Sequence, residues 1–211
     1  TPSGLSIDTK YYWKVVATDT TGNTTSSVMN FTLVMTFEWR YETGGDVKAI
    51  AVSADGEYIV AGSDDKKLYL FDKDSSTPVW VAGPYNTIPL SVAISADGEY
   101  IAMGNTGNWL YLYNRNSSSY LWYYDTHGDV SSISMSTDGE YIVAGTTANK
   151  VHLFDKDSNT PLWTYTTGGD VKSVSISADG EYITAGSVDN KVYLFGKDSS
   201  TPLWTYSTGG N

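Results

Sequence analysis

Apolar positions in this chain come in short bursts, separated by polar stretches that carry Gly, Pro, Asp and Asn. Towards the C-terminus the bursts are Val171–Ser177, Glu181–Gly186, Lys191–Phe195 and Leu203–Ser207. Each is rich in Val, Ile, Tyr or Trp, which suit a pleated, packed surface, so each predicts a β-strand. The breaks hold Asp-Gly, Asp-Asn or Ser-Ser-Thr-Pro, which are turn signals. The runs Leu68-Tyr69-Leu70-Phe71 and Val192-Tyr193-Leu194-Phe195 are continuously apolar instead of alternating. Strands of that kind are buried on both faces. No helical periodicity of useful length is present.

The four-burst pattern recurs. Trp39, Trp80, Trp122, Trp163 and Trp204 lie 41, 42, 41 and 41 residues apart. They mark four repeats, at about 39–80, 80–122, 122–163 and 163–204, and the start of a fifth. Four strands in some 41 residues is the signature of a propeller blade. The expected fold class is therefore all-β: β-propeller blades built from four four-stranded repeats. The recurrent Trp is expected to wedge between blades, where truncation to Ala costs roughly 3–5 kcal/mol.

Two families share these motifs. The stretch "DVKSVSISADGEYITAGSVDNKVYLF" resembles WD repeats, with a valine strand, an Asp-Gly turn, a "GSxD" and a closing apolar run in that order. The "GSxD" aspartate is matched by Asp65 and Asp189, but Gly107 and Ala148 stand in the other two units. The Trp-Asp and Gly-His of that family are absent, so its full side-chain hydrogen-bond set is not expected. The stretch "VYLFDKDSSTPLWTY" looks like the repeats of quinoprotein-type (PQQ-like) propellers, which dock a Trp between blades. That resemblance implies that the "SADGE" and "DKDSSTP" turns share one propeller face. The loops like "TTGGD" and "SVDNK" would then share the other.

Residues 1–34 do not fit the repeat. Leu5, Thr9, Tyr11, Trp13, Val15, Ala17, Asp19 and Gly22-Asn23 resemble the last strands of a fibronectin type III domain, with Tyr11 as its corner tyrosine. The expected domains are thus 1–34, the C-terminal part of such a domain forming a partial β-hairpin, and 35–211, the propeller segment. A lone hairpin is marginal in water, and both ends read as cut from a longer protein. Completion by further blades or by a homo-oligomer is the expectation for the ring.

Charge removes some classes of partner. The formal net charge is −11. Such a chain repels phosphate backbones and anionic lipid, so neither nucleic acid nor a membrane surface is expected. No apolar run reaches the length of a membrane span, so no membrane insertion is expected of this chain. There is no cysteine, which excludes disulfides and thiolate chemistry. Three sequons, at Asn23, Asn30 and Asn116, are glycosylation candidates. With the fibronectin-like neighbour they point to an extracellular or cell-surface protein.

Candidate chemistry is sparse. "SADGEYI" or "STDGEYI" occurs at Ser53, Ser95, Ser136 and Ser177. Asp caps such a turn and Gly supplies positive φ; one Asp and one Glu fall short of the six or more oxygens calcium takes. Asp155, Asp157 and Asn159 have the spacing that opens a calcium loop, without its Gly and distal Glu, and are weak metal candidates. His152 replaces a strand Tyr and reads as packing, while His127 lies in a Gly-rich loop. Neither sits in a recognisable nucleophile–base arrangement. No quinone-binding residue and no sialidase-type Asp box is found. The chain is expected to be no enzyme and to hold no cofactor.

Near-identical units provide their own baseline, and the second departs most. "VAGPYNTIPL" replaces "TYTTGGDV", and "NTGNWL" replaces "SVDNKV". These loops would gather Pro84, Tyr85, Asn86, Asn108 and Trp109 on one face. Aromatic rings beside amides suit a protein hot spot or a sugar-stacking site, so protein or glycan is the expected partner. The turns of the other face carry 13 carboxylates against Lys73, Arg115, Lys156 and Lys197.

Overall fold

A computed structural model describes residues 39–209 in full and the backbone of 11–14 and 30–33. The chain divides into two compact units between Arg40 and Tyr41. In the first, β1 (Tyr11–Lys14) pairs antiparallel with β2 (Asn30–Leu33), Tyr11 opposite Leu33. The other positions of the fibronectin resemblance, from Leu5 to Asn23 apart from Tyr11 and Trp13, lie outside the described residues. So does the sequon asparagine Asn23.

The second unit contains four four-stranded antiparallel sheets, each an up-and-down meander. Blade 1 is β3 (Val47–Val52), β4 (Tyr58–Ser63), β5 (Lys67–Asp72) and β6 (Trp80–Ala82). Blade 2 is β7 (Pro89–Ile94), β8 (Tyr100–Asn105), β9 (Trp109–Asn114) and β10 (Tyr120–Asp125). Blade 3 is β11 (Val130–Met135), β12 (Tyr141–Thr146), β13 (Lys150–Asp155) and β14 (Trp163–Thr166). Blade 4 is β15 (Val171–Ile176), β16 (Tyr182–Ser187), β17 (Lys191–Gly196) and β18 (Trp204–Ser207). Trp80, Trp163 and Trp204 open the last strand of their sheets, and Trp122 is the third residue of β10. In every blade the first hairpin shifts register once near its start, as between Val130 and Ser132. Such a bulge increases local twist.

The core lies between sheets. One layer packs Val60, Leu68 and Leu70 of blade 1 with Ile101, Met103 and Tyr113 of blade 2. A second packs Leu110 and Leu112 with Val130, Ile142 and Phe154. The third packs Val143, Val151 and Leu153 with Val171, Ile183 and Phe195. This explains the continuous apolar runs: Leu68, Tyr69, Leu70 and Phe71 are all buried. The first strands β3, β7, β11 and β15 are successive neighbours. Among the described residues no helix is long and apolar enough to cross a membrane.

Among the described residues, two sheet faces have no neighbouring blade. On blade 1, Val47, Ile50 and Val52 are 50%, 69% and 58% exposed. Their counterparts Val171, Val174 and Ile176 in blade 4 are buried against blade 3. On blade 4, Tyr182, Leu203, Trp204 and Tyr206 are exposed.

Candidate functional site

The repeated Ser-x-Asp-Gly-Glu-Tyr segment is a self-contained turn. In blade 3, the Ser136 hydroxyl donates to Asp138 Oδ1 (2.6 Å), which also accepts the Glu140 amide (3.0 Å). The Ser136 oxygen accepts the Tyr141 amide (3.0 Å), and Gly139 sits at φ 75°. The same bonds recur around Ser53, Ser95 and Ser177. The serine hydroxyl, then the backbone amide, holds Asp55, Asp138 and Asp179 below the usual carboxylate range; the serine holds Asp97 there as well. These carboxylates are spent on the turn.

The same turns tie blade to blade. The amides of Ala54, Ala96 and Thr137 donate to the carbonyls of Ala96, Thr137 and Ala178, at 3.0, 2.9 and 3.0 Å. Trp80, Trp122 and Trp163 donate from Nε1 to the carbonyls of Arg115, Lys156 and Lys197 in the next blade, at 2.7, 2.6 and 2.7 Å. Those three cations lie over the rings of Tyr58, Tyr100 and Tyr141, one blade back. The turn glycines Gly98, Gly139 and Gly180 press on the same three rings, with no room for a Cβ. Lys73, Lys156 and Lys197 each donate their amide to the Glu of the first turn, so the two turn types share a face.

The weak metal candidates separate. Asp155 and Asp157 lie near Glu140, with ligand oxygens within 4.8 Å of one another. Lys156 Nζ occupies the cluster, 3.2 Å from Glu140 and 2.7 Å from Asp157. Asn159 points away, its amide donating to the Tyr123 carbonyl at 3.4 Å. Lys156 is already paired with Glu140 and Asp157, and its hydrogen bond to Asp157 is the first cause that raises its own pKa.

The "GSxD" aspartates build a small network where they exist. Asp189 Oδ2 accepts from the Tyr193 hydroxyl (2.5 Å) and the Gly168 amide (2.8 Å). Asp65 does the same with Tyr69 and Gly44. Burial pushes Asp189 up, but the Tyr193 hydroxyl and the amides outweigh it and hold it low. Blade 3 has Ala148 and His152 instead. His152 Nδ1 shares a hydrogen bond with Thr164 Oγ1 (2.9 Å), while its buried Nε2 has no partner. Burial, and then Lys150 and His127 nearby, push His152 down to about 4. His127 is exposed beside Asp125, 3.3 Å away.

The candidates of blade 2 are only partly brought together. In blades 2 and 3 a tyrosine two residues after the Trp, Tyr124 or Tyr165, packs on the third strand of the next blade. Blade 1 has Ala82 there. Tyr85, carried in by the altered loop, supplies the missing ring: it packs 5.4 Å from Tyr111 and shares a hydrogen bond with the Tyr113 hydroxyl. Burial pushes Tyr85 up to about 12. Tyr85 is thus part of the scaffold. Asn108 is the positive-φ turn residue (69°) equivalent to Lys66, Asn149 and Asn190, and its carbonyl accepts from the Thr126 amide. Pro84 and Asn86 are exposed.

Trp109 does not touch Tyr85 directly. It meets Tyr123 edge-on at 5.3 Å; Tyr123 meets Tyr111 at 6.0 Å and Tyr120 at 5.2 Å. The result is a continuous file, Tyr85–Tyr111–Tyr123–Trp109, flanked by Tyr113 and Tyr120. Tyr120 and Tyr123 are 49% and 44% exposed, beside exposed Leu121. Sequence reasoning missed Tyr111, Tyr120 and Tyr123. The signal was available in "YLWYYD", which stands where the other units have "PVWVAG", "PLWTYT" and "PLWTYS". At the turn that leads into β10, a cleft of about 590 Å³ is lined by Tyr58, Trp80, Arg115, Asn116 and neighbours. It is the blade 1–2 seam, and the sequon asparagine Asn116 is exposed at its edge.

A family model described as outer membrane protein assembly factor BamB matches residues 106–211, half of the chain. A second, described as WD domain, G-beta repeat, matches residues 31–72. No curated protein matches the chain.

Proposed function

We propose that this chain, which belongs to the repeat family described as outer membrane protein assembly factor BamB, is a non-enzymatic protein-interaction module of a larger cell-surface protein. The observation that carries this reading is the placement of the extra aromatics. Trp109, Tyr120 and Tyr123 stand where the other blades have Lys, Pro, and Val or Thr, respectively. All three fall in one half-exposed patch on the rim of blade 2. Tyrosine and tryptophan backed by further rings are the anchors of protein hot spots. The carboxylates nearest to chemistry are committed to turns, and the buried histidine faces rings. The sequon at Asn116, on an exposed turn, supports a location outside the cell.

The test replaces patch residues by those of the other blades: Trp109→Lys, Tyr120→Pro and Tyr123→Thr. Peptides selected from a random displayed library on the unaltered chain are expected to lose at least about tenfold in affinity for the triple variant. A glycan array bound by the unaltered chain and lost with Trp109→Lys would replace this reading by a lectin. Peptide binding unchanged in the triple variant would sink the patch.

A further inference from the structure

Among the cations of the repeated third-to-fourth turns, Arg115 alone has lost its carboxylates, and it stands beside the aromatic patch. We infer that blade 2 binds an extended peptide segment that sets apolar side chains on the patch and an aspartate or glutamate against Arg115. The acidic residue is added to the protein-interaction reading of the patch and rests on it. Both places lie between blades 1 and 2, away from the ends of the repeat array.

The turn reads Asp72-Lys73-Asp74, Asp155-Lys156-Asp157 and Gly196-Lys197-Asp198 in blades 1, 3 and 4. In each, the lysine pairs with the aspartate that follows it and with the glutamate of the first turn, as Lys156 does with Asp157 (2.7 Å) and Glu140 (3.2 Å). Blade 2 reads Asn114-Arg115-Asn116. Both aspartates are amides there. Glu99, the counterpart of Glu140, accepts from Asn114 Nδ2 at 3.3 Å instead of pairing with the cation. The Arg115 guanidinium lies 4.5 Å over the Tyr58 ring and donates from Nη1 to the Asp97 carbonyl at 2.9 Å. Its other N–H groups find no acceptor among the described residues. A planar fork of donors is thus left for a carboxylate, a pairing that arginine makes better than the lysine of the sister turns.

There is room for a ligand beside it. Half-buried Arg115 lines the cleft of about 590 Å³ together with Val79, Trp80 and Ser117. Asp72 lines it too, with Oδ1 engaged by the Asp74 amide. From the cleft, rings run without a break to the patch. Trp80 meets Tyr113 at 5.8 Å, Tyr113 meets Tyr120 at 6.5 Å, and Tyr120 leads through Tyr123 to Trp109. Tyr123 is level with Tyr111 on β9, and Trp109 begins that strand. At about 3.3 Å per residue, Arg115 lies about 13 Å from the first level and about 20 Å from the second. An extended peptide spans this with its acidic residue about four to six positions from its apolar anchor. Charge then fixes the register. Elsewhere on these turns an acidic side chain meets carboxylates, and at Arg115 it meets a cation without an ion pair.

Titration calorimetry with peptides selected from a random displayed library on the unaltered chain tests this. The selected peptides are expected to share an Asp or Glu about four to six positions from an apolar residue. Asn114→Asp, Arg115→Lys and Asn116→Asp together rebuild the turn of blade 3. Trp80 bonds the backbone carbonyl of residue 115, which lysine supplies equally, so this turn variant keeps the joint, checked by near-ultraviolet circular dichroism. Its affinity for an acidic peptide is expected to fall by about tenfold, the worth of a hydrogen bond to a charged group. The same peptide with Gln in place of Glu is expected to bind the turn variant and the unaltered chain equally. Trp109→Lys, Tyr120→Pro and Tyr123→Thr together are expected to weaken both peptides. Selected peptides with no shared acidic residue, or a turn variant that binds the acidic peptide undiminished, overturn the inference and leave the patch standing. So does a turn variant that loses the acidic and the amide peptide alike. Peptide binding that ignores the patch variant sinks the interaction reading, and the inference with it. A uronate-bearing oligosaccharide that binds the unaltered chain but not the turn variant, where no peptide does, overturns the inference in favour of an acidic glycan.

Discussion

Trp122 and Trp204 lie at equivalent repeat positions in the last strands of their sheets, yet they meet different surroundings. Trp122 is partly covered, packs against Phe154 and bonds the Lys156 carbonyl. Trp204 lies on the surface of blade 4 with neither contact. Both follow a leucine and both are followed two residues on by a tyrosine. What a residue contributes in a repeat is therefore set by the next blade, and a blade in the middle differs energetically from a blade at the end although their motifs agree.

The largest effect expected is at that pair. Trp122→Ala removes a ring from an interblade layer and is expected to cost roughly 3–5 kcal/mol. Trp204→Ala is expected to change stability by about 0.5 kcal/mol or less. Urea unfolding of both variants checks this; equal losses would erase the distinction between middle and end.

Next comes a pH effect that separates blade 3 from blade 4. His152 is buried at the position of Tyr193, and its folded-state pKa of about 4 lies below the unfolded value of about 6.5. Between those values the unfolded chain binds the proton and the folded chain does not, so stability rises with pH. The contribution is complete above about 6.5 and is lost as pH falls towards 4, by up to about 3 kcal/mol. Only below that do Asp55, Asp97, Asp138 and Asp179, held low by their turns, begin to cost stability on protonation. Ala148→Asp with His152→Tyr rebuilds the pair of blade 4 in blade 3. Stability measured from pH 7.5 to 4.5 is expected to lose most of its slope in that double variant.

The smallest effect uses the glycine that is next to last in each second strand. A Cβ on Gly145 would lie 2.6 Å from Val171 Cγ1, whereas on Gly186 it would meet nothing within 4 Å. Gly145→Ala is expected to cost about 1–3 kcal/mol through overpacking. Gly186→Ala is expected to be neutral or to gain up to about 1 kcal/mol, because the unfolded chain loses freedom. Thermal melts distinguish the two directions.

Much of the architecture was legible in the sequence, because each element is written four times. The predicted strands of the last unit, Val171–Ser177, Glu181–Gly186, Lys191–Phe195 and Leu203–Ser207, fall within one residue of β15 to β18. The Asp-Gly turn was legible because its bonds are local, within five residues. The site was not legible in the same way. Tyr85 stood out as a departure, but its role depends on the ring absent at Ala82 and on where the loop re-enters the packing. Tyr120 and Tyr123 were overlooked because a strand tyrosine in a tyrosine-rich chain draws no attention. Only their pairing in space with Trp109 and Tyr111 sets them apart.

The file of amides from Ala54 through Ala96 and Thr137 to Ala178 runs across the strands, and every donor points the same way along the chain. It has a head and a tail, as a microtubule protofilament does. Hydrogen exchange should read out that polarity: the Ala96 and Thr137 amides, locked on both sides, outlast the Ala178 amide, which exchanges freely until something accepts it.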